Sequence, residues 1–330
     1  MTINQRLKQS ELGVTRTEVK RAVRRGKRPT ARWLIAVLSV ILVIGVVVPV
    51  ILRTRSTQPA DSGQPIPYLG VYERSAPLSY AGVASFTATT RVRPDLVMYY
   101  SSWLESFQAS FAATAYEHGA TPVVQLNPSN VSLAAIAAGK YDDYLKAYAQ
   151  AVLAYGHPVV LSFGHEMNGS WYSWGYNRTS PATFVAAWRH IVTLFREQGA
   201  TKDTWLWTVN HIVTDGGIPS PRPWWPGSSY VTWVGIDGYY SSPSMTFDSL
   251  FGPTITAVRE LTNNDPILIA ETAATPAAIQ PAKIADLFEG IRNYQLLGFV
   301  WFAVQPWTIS GSAAIGAYRR GAEGYKRTSP

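Results

Sequence analysis

The sequence predicts an α/β protein: a (β/α)8 barrel of the TIM type preceded by a single N-terminal transmembrane helix. Three observations carry this reading. Eight short apolar runs recur between residues 67 and 304, and most gaps between them can hold a helix. A separate run, 33–52, has 20 residues and no charge.

The eight runs are PYLGVY (67–72), DLVMYY (95–100), TPVVQLN (121–127), HPVVLSF (157–163), TWLWTVN (204–210), VTWVGID (231–237), PILIAE (266–271) and LGFVWFAV (297–304). They are almost continuously apolar rather than alternating, which is the pattern of parallel strands covered on both faces. The gaps predict helices over 103–118, 141–155, 181–198, 247–263 and 281–295. Within 181–198, Phe184, Ala187, Trp188, Ile191 and Leu194 fall on one helical stripe. Pro181 suits the first turn and Ser180 the cap. Between the fifth and sixth runs, HIVTDGGIPSPRPWWPGSSY is too rich in Pro and Gly for more than a short helix. An open doubly wound sheet also alternates strands and helices, but no Gly-x-Gly-x-x-Gly follows the first run.

The net charge of +8 sits in the tail. Residues 1–32 hold ten Lys/Arg and two acids, and the remaining 19 basic and 19 acidic residues cancel. The body therefore offers no basic excess for nucleic acid. The uncharged run 33–52 spans roughly 30 Å as a helix, one bilayer core. A cleaved signal peptide would have a shorter apolar region, about 7–15 residues, followed by a small-residue cleavage site. Here a long basic region precedes the run, and Arg53 and Arg55 follow it. This charge bias predicts a single-pass anchor in the cell membrane, with the N-terminus cytoplasmic and the body outside. Residues 53–66 read as a polar linker, and the catalytic body runs over 67–325.

In a barrel of this type, chemistry gathers at the C-terminal ends of the strands. Those ends carry Tyr72, Glu73, Asn127, His165, Glu166, Asn210, His211, Asp237, Tyr239, Glu271, Trp301 and Gln305. Amides and carboxylates pair with sugar hydroxyls, and aromatic rings cover the apolar face of a pyranose. Cleavage of a glycosidic bond needs two carboxylates, one to donate a proton and one to attack or to activate water. Glu166, just beyond the fourth run, and Glu271, ending the seventh, meet that need. Without Cys, thiolate chemistry and Cys-bound metals are excluded. A zinc protease helix would need a His four residues after His165, where Gly169 stands, and no Gly-x-Ser-x-Gly occurs. No metal or cofactor is expected.

The segments HEMNGSWYSWG (165–175), WWPGSSYVTWVGIDGYY (224–240), ILIAET (267–272) and GFVWFAV (298–304) resemble glycoside hydrolase family 26, a family of retaining β-mannanases. The resemblance implies that Glu166 is the acid/base and Glu271 the nucleophile. It implies that His165 orients the active centre, Trp171 contacts substrate, Tyr239 contacts the nucleophile and Trp301 forms the platform under the sugar. Asn210 and Asp237 would be supporting polar residues. Trp224, Trp225, Tyr100, Trp103 and Trp307 suit either sugar contact or packing. Two departures bear on substrate choice: PGSSYVT lacks the acids often found before the sixth strand, and TAATP follows Glu271. The implied function is a membrane-anchored, endo-β-1,4-mannanase-like hydrolase of β-linked polysaccharide. A β-glucanase or β-xylanase of the same family, a transglycosylase, or a non-catalytic envelope polysaccharide-binding protein are the alternatives.

Overall fold

The structure, a computed structural model, describes residues 68–213, 217–262 and 265–326. Eight parallel strands close into a barrel in chain order: β1 (Tyr68–Tyr72), β2 (Leu96–Ser102), β3 (Thr121–Asn127), β4 (Val160–Phe163), β5 (Thr204–Asn210), β6 (Trp233–Asp237), β7 (Ile267–Thr272) and β8 (Gly298–Phe302). Pairing of β1 with β8 from Tyr68↔Gly298 to Tyr72↔Phe302 makes the closure. Each expected strand is present. The fourth starts later than its apolar run, because His157 and Pro158 form the exposed approach to it.

The helices are α1 (Ala81–Thr90), α2 (Ala109–Glu117), α3 (Leu133–Ala137), α4 (Asp142–Tyr155), α5 (Pro181–Glu197), α6 (Phe247–Arg259), α7 (Gln280–Asn293) and α8 (Ser312–Lys326). α5 begins as its sequence directs: Ser180 Oγ accepts from the Thr183 amide at 3.1 Å, and Pro181 occupies the first turn. Its stripe of Phe184, Ala187, Trp188, Ile191 and Leu194 is buried. α6 starts with a capping box between Thr246 and Ser249. The helix expected over 103–118 begins only at Ala109. Leu104 takes a left-handed φ of 73°, which stops a helix there, and Trp103 is buried against Tyr141, Tyr144 and Phe163. Among the described residues between β5 and β6, the one helical element is a 3-10 turn, Arg222–Trp224. There Trp225 packs on Trp207 (ring centroids 4.9 Å apart) and covers the strand where a helix would otherwise lie.

Side chains of successive strand residues face opposite sides. On β5, Trp205 meets Trp188 and Phe195 of α5, so the odd-numbered side chains face the helices. Leu206, Thr208 and Asn210 therefore face the barrel interior. On β8, Phe299 packs against Phe288 and Tyr318 of the helical layer. Phe302 faces inward, against Tyr72 and Tyr239.

No helix among the described residues is long and apolar enough to cross a membrane. The basic tail 1–32, the expected anchor 33–52 and the linker 53–66 all lie outside the described residues.

Candidate active site

Glu166 stands one turn beyond β4 on an unusual backbone. Its φ is 55°, as is that of Gly164 two residues earlier. A non-glycine residue in this region costs on the order of 1–3 kcal/mol and persists where its surroundings hold it. Here the Glu166 amide donates to Thr208 O of β5 at 2.9 Å, and the Gly169 amide donates to Glu166 O at 2.9 Å. The carboxylate is 1% exposed and gripped on both oxygens. Asn210 Nδ2 donates to Oε1 at 2.7 Å, and Trp171 Nε1 donates to Oε2 at 2.7 Å. Gly169 makes the second contact possible: a Cβ there would lie 2.2 Å from the Trp171 ring. Trp171 itself is half-buried.

Glu271, on β7, is fully buried. The Tyr239 hydroxyl donates to its Oε2 at 2.6 Å, and the Tyr100 hydroxyl donates to Oε1. Burial, and then the Glu271 carboxylate, hold Tyr100 well above the usual phenol range, so it remains a neutral donor. Tyr239 is braced in turn by Phe302 and Trp307, at centroid distances of 5.8 and 5.5 Å.

One carboxylate oxygen each from Glu166, Asp237 and Glu271 lies within 4.8 Å of the others. Asp237 is fully buried on β6, paired in register with Asn210 on one side and Glu271 on the other. Three carboxylates at this spacing could hold a cation. All four glutamate oxygens, however, already accept hydrogen bonds from Asn210, Trp171, Tyr239 and Tyr100.

His165 is fully buried, its ring 5.5 Å from that of Tyr100. Asn127 Oδ1 faces its Nδ1 at 3.0 Å, so Nδ1 carries the proton and Nε2 accepts from the Tyr172 hydroxyl at 3.2 Å. Tyr172 stacks on Trp174 at 4.3 Å, and Trp174 Nε1 donates to His165 O at 2.9 Å. The buried Asn210 Oδ1 has no hydrogen-bond partner among the described residues. Burial lowers the His211 imidazole below its usual value, against the opposing pull of the Asp237 backbone and the Glu166 carboxylate.

The site thus gathers Glu166, Glu271, Asn210, Asp237, Trp171 and Tyr239, with His165 as a buried support. Trp301 stands apart. It is fully buried, shares the helix-facing side of β8 with Phe299, and donates from Nε1 to Trp307 O at 3.0 Å. The aromatic that β8 turns inward is Phe302. Three further contributors have no role assigned from the sequence, although Tyr100 and Asn127 are among its strand-end and aromatic candidates and Asn168 lies within HEMNGSWYSWG. Tyr100 reaches Glu271 from β2. Asn127 orients His165 from β3. Asn168 bridges the loops by donating to Asn210 O at 2.8 Å and Pro219 O at 3.2 Å while accepting from the Asn210 amide at 2.8 Å.

Comparison with known proteins bears on this arrangement. The pattern described as Glycosyl hydrolase family 26 matches residues 126–279, which include both glutamates. Endoglucanase H of Acetivibrio thermocellus is 31% identical over 261 residues, covering 73% of this chain and 29% of that protein. Mannan endo-1,4-beta-mannosidase A and B of Caldalkalibacillus mannanilyticus is 28% identical over 99 residues, 28% of this chain and 18% of that protein. The chain therefore spans less than a third of the length of either relative. Among solved structures, the YdhT protein from Bacillus subtilis superposes with a TM-score of 0.62 at 17% identity, over 79% of this chain and 86% of that one, a likeness of fold.

Proposed function

Because the barrel of this chain belongs to glycosyl hydrolase family 26, we propose that it cleaves β-linked polysaccharide internally and with retention of configuration. The observation that carries this reading is that one oxygen of the Glu166 carboxylate lies within 4.8 Å of one oxygen of the Glu271 carboxylate. Retaining enzymes hold their two carboxyl groups about 5–5.5 Å apart, whereas inverting ones leave about 6.5–9.5 Å for a water.

In the proposed reaction, an oxygen of Glu271 attacks the anomeric carbon and the glycosidic bond breaks. Glu166 gives its proton to the departing oxygen. Water then attacks the same carbon, Glu166 takes the water proton, and the bond to Glu271 breaks to free the sugar. Crowding three carboxylates into one buried site favours a state in which at least one holds a proton, as a general acid requires. Tyr100 and Tyr239 hold the Glu271 oxygens in line for attack and stabilise them as the leaving group of the second step. Trp171 and Asn210 fix the direction of the Glu166 carboxyl.

β-Glucan is the first substrate to test, since the relative named endoglucanase matches most of the body. Mannan is the second, supported by a shorter match to a relative named mannosidase. The experiment is reducing-sugar release by the full-length chain from mixed-linked β-glucan, carboxymethylcellulose, mannan and galactomannan. Activity on one polymer, abolished by Glu166→Gln and by Glu271→Gln, is expected. Activity unchanged by both substitutions would overturn the assignment.

The chain is further proposed to be tethered through residues 33–52, supported by 20 uncharged residues behind a segment with ten Lys/Arg. Retention in membranes after alkaline extraction, lost when 33–52 is deleted, is the expected result. Release of the intact chain would contradict it.

A further inference from the structure

α7 buries Ile284, Leu287, Phe288 and Ile291, the apolar stripe expected of a barrel helix. Its start is different. Gln280, Lys283 and Asp286 recur every three residues and share one polar face. Gln280 is fully buried, and Lys283 is the one lysine or arginine among the described residues to be buried. Burying an ammonium is costly unless hydrogen bonds hold it, so the placement calls for a reason.

Both side chains hold loops at the catalytic mouth. Gln280 Nε2 donates to Ala274 O at 3.2 Å and to Thr308 O at 3.1 Å, and its Oε1 accepts from the Ser310 amide at 3.2 Å. One side-chain amide thus joins the loop after β7 to the loop after β8. Lys283 Nζ donates to Pro243 O at 2.8 Å and to Met245 O, both in the loop after β6. The same ammonium lies 5.8 Å from the centre of the Tyr240 ring. Asp286 Oδ2 accepts from the Phe247 amide at 2.7 Å, where α6 begins. These loops surround the proposed nucleophile. Tyr240 follows Tyr239; its amide donates to Ala273 O at 2.9 Å, and its carbonyl accepts from the Thr275 amide at 3.0 Å. Thr308 follows Trp307, whose ring braces Tyr239.

We propose that Gln280 and Lys283 are positioning residues for the reaction: from the first turn of α7 they lock the loops after β6, β7 and β8 in the arrangement that sets the Tyr239 hydroxyl on Glu271. Their hydrogen bonds run to loop backbone, not to the carboxylates. They act by removing freedom from the loops. A shift of about 1 Å at a reacting group can cost on the order of 100-fold in rate. The role rests on the double-displacement reading above, whereas the clasp itself does not.

The test uses Gln280→Met and Lys283→Met in the full-length chain, which remove these bonds at nearly constant volume. Arg319→Met is the matched control. Arg319 also donates from a half-buried side chain to two backbone carbonyls, Thr90 O and Thr89 O, both at 2.8 Å, but at the end of α1, away from the mouth. On the polymer that the parent cleaves, kcat is expected to fall about 10–100-fold in each α7 variant with KM within about twofold. Arg319→Met should stay within about twofold of the parent in both. In a Tyr239→Phe background the α7 substitutions should lower kcat by less than about twofold more, because the bond they position is already gone. Amide hydrogen exchange reads the clasp without substrate: Tyr240 and Thr275 should exchange faster in the α7 variants and at the parent rate in Arg319→Met. Rates are taken where circular dichroism shows each variant folded, and either α7 variant alone decides if the other does not fold. A parental kcat, unaltered exchange, an equal fall in Arg319→Met, or an undiminished effect in Tyr239→Phe would each overturn the inference and leave the catalytic reading standing. A parent without activity on any polymer would count against the catalytic reading itself and overturn the inference with it.

Discussion

The indole N–H of Trp171 donates to Oε2 of Glu166 at 2.7 Å, across only five residues of chain. A ring at the mouth is thereby tied to the carboxyl proposed to donate the proton. Trp171→Phe keeps the ring and removes the donor. A fall in kcat of about 10–100-fold is expected, the scale of losing one preorganised hydrogen bond in a water-poor site. Gly169→Ala should reproduce the fall with Trp171 intact, because the added Cβ would meet the indole at 2.2 Å. Steady-state kinetics of the two variants check this. Wild-type rates in both would contradict the coupling.

Tyr239 and Tyr100 hold opposite oxygens of Glu271. Tyr239→Phe is expected to lower kcat about 100-fold with little change in KM, since its hydrogen bond acts on the proposed nucleophile rather than on the resting sugar. Tyr100→Phe should act in the same direction. A change confined to KM in both variants would assign them to substrate binding instead.

Asn210 points its amide nitrogen at Glu166 and leaves Oδ1 without a partner among the described residues. Asn210→Ala should reduce kcat/KM by about tenfold or more by releasing one Glu166 oxygen. Wild-type kcat/KM in Asn210→Ala would remove the residue from the machinery.

Trp301 predicts a different signature. It is fully buried on the helix-facing side of β8. Trp301→Phe should cost about 1–3 kcal/mol of stability through lost packing and the lost bond to Trp307 O. KM should stay within about twofold. Thermal melts and kinetics separate the outcomes, and a large KM change with unaltered stability would restore Trp301 as the sugar platform.

Glu73 gives a pH dependence whose sign is fixed. Burial pushes its carboxyl from 4.5 up to about 7. The folded state therefore holds a proton that the unfolded chain releases earlier. The resulting stability is present below about pH 4.5 and is lost as pH rises through 7. Glu73→Gln should raise Tm relative to the parent at pH 8 and converge with it near pH 4. Parallel Tm–pH curves for the two proteins would contradict this.

The strands were legible because parallel strands buried on both faces leave near-continuous apolar runs. The same continuity hid which residues face inward. GFVWFAV is apolar on both sides, so nothing in it separates Trp301, turned to the helices, from Phe302, turned to the site. In DLVMYY the adjacent tyrosines diverge likewise: Tyr99 meets Phe111 of α2, and Tyr100 meets Glu271. Glu166 and Glu271 were readable from their positions at strand ends. Asn168 lies within HEMNGSWYSWG, but its bonds span 42 residues or more, so no local pattern gives its partners.

The most direct test of the double-displacement account is to trap its intermediate. The full-length chain would be treated with 2-deoxy-2-fluoro fluorides of a β-linked glucan or mannan trisaccharide. Proteolysis and mass spectrometry would then find the labelled peptide. The account predicts stoichiometric inactivation, one glycosyl group on Glu271, and β-configured products in the untrapped reaction. A label on another residue, or products of inverted configuration, would contradict it.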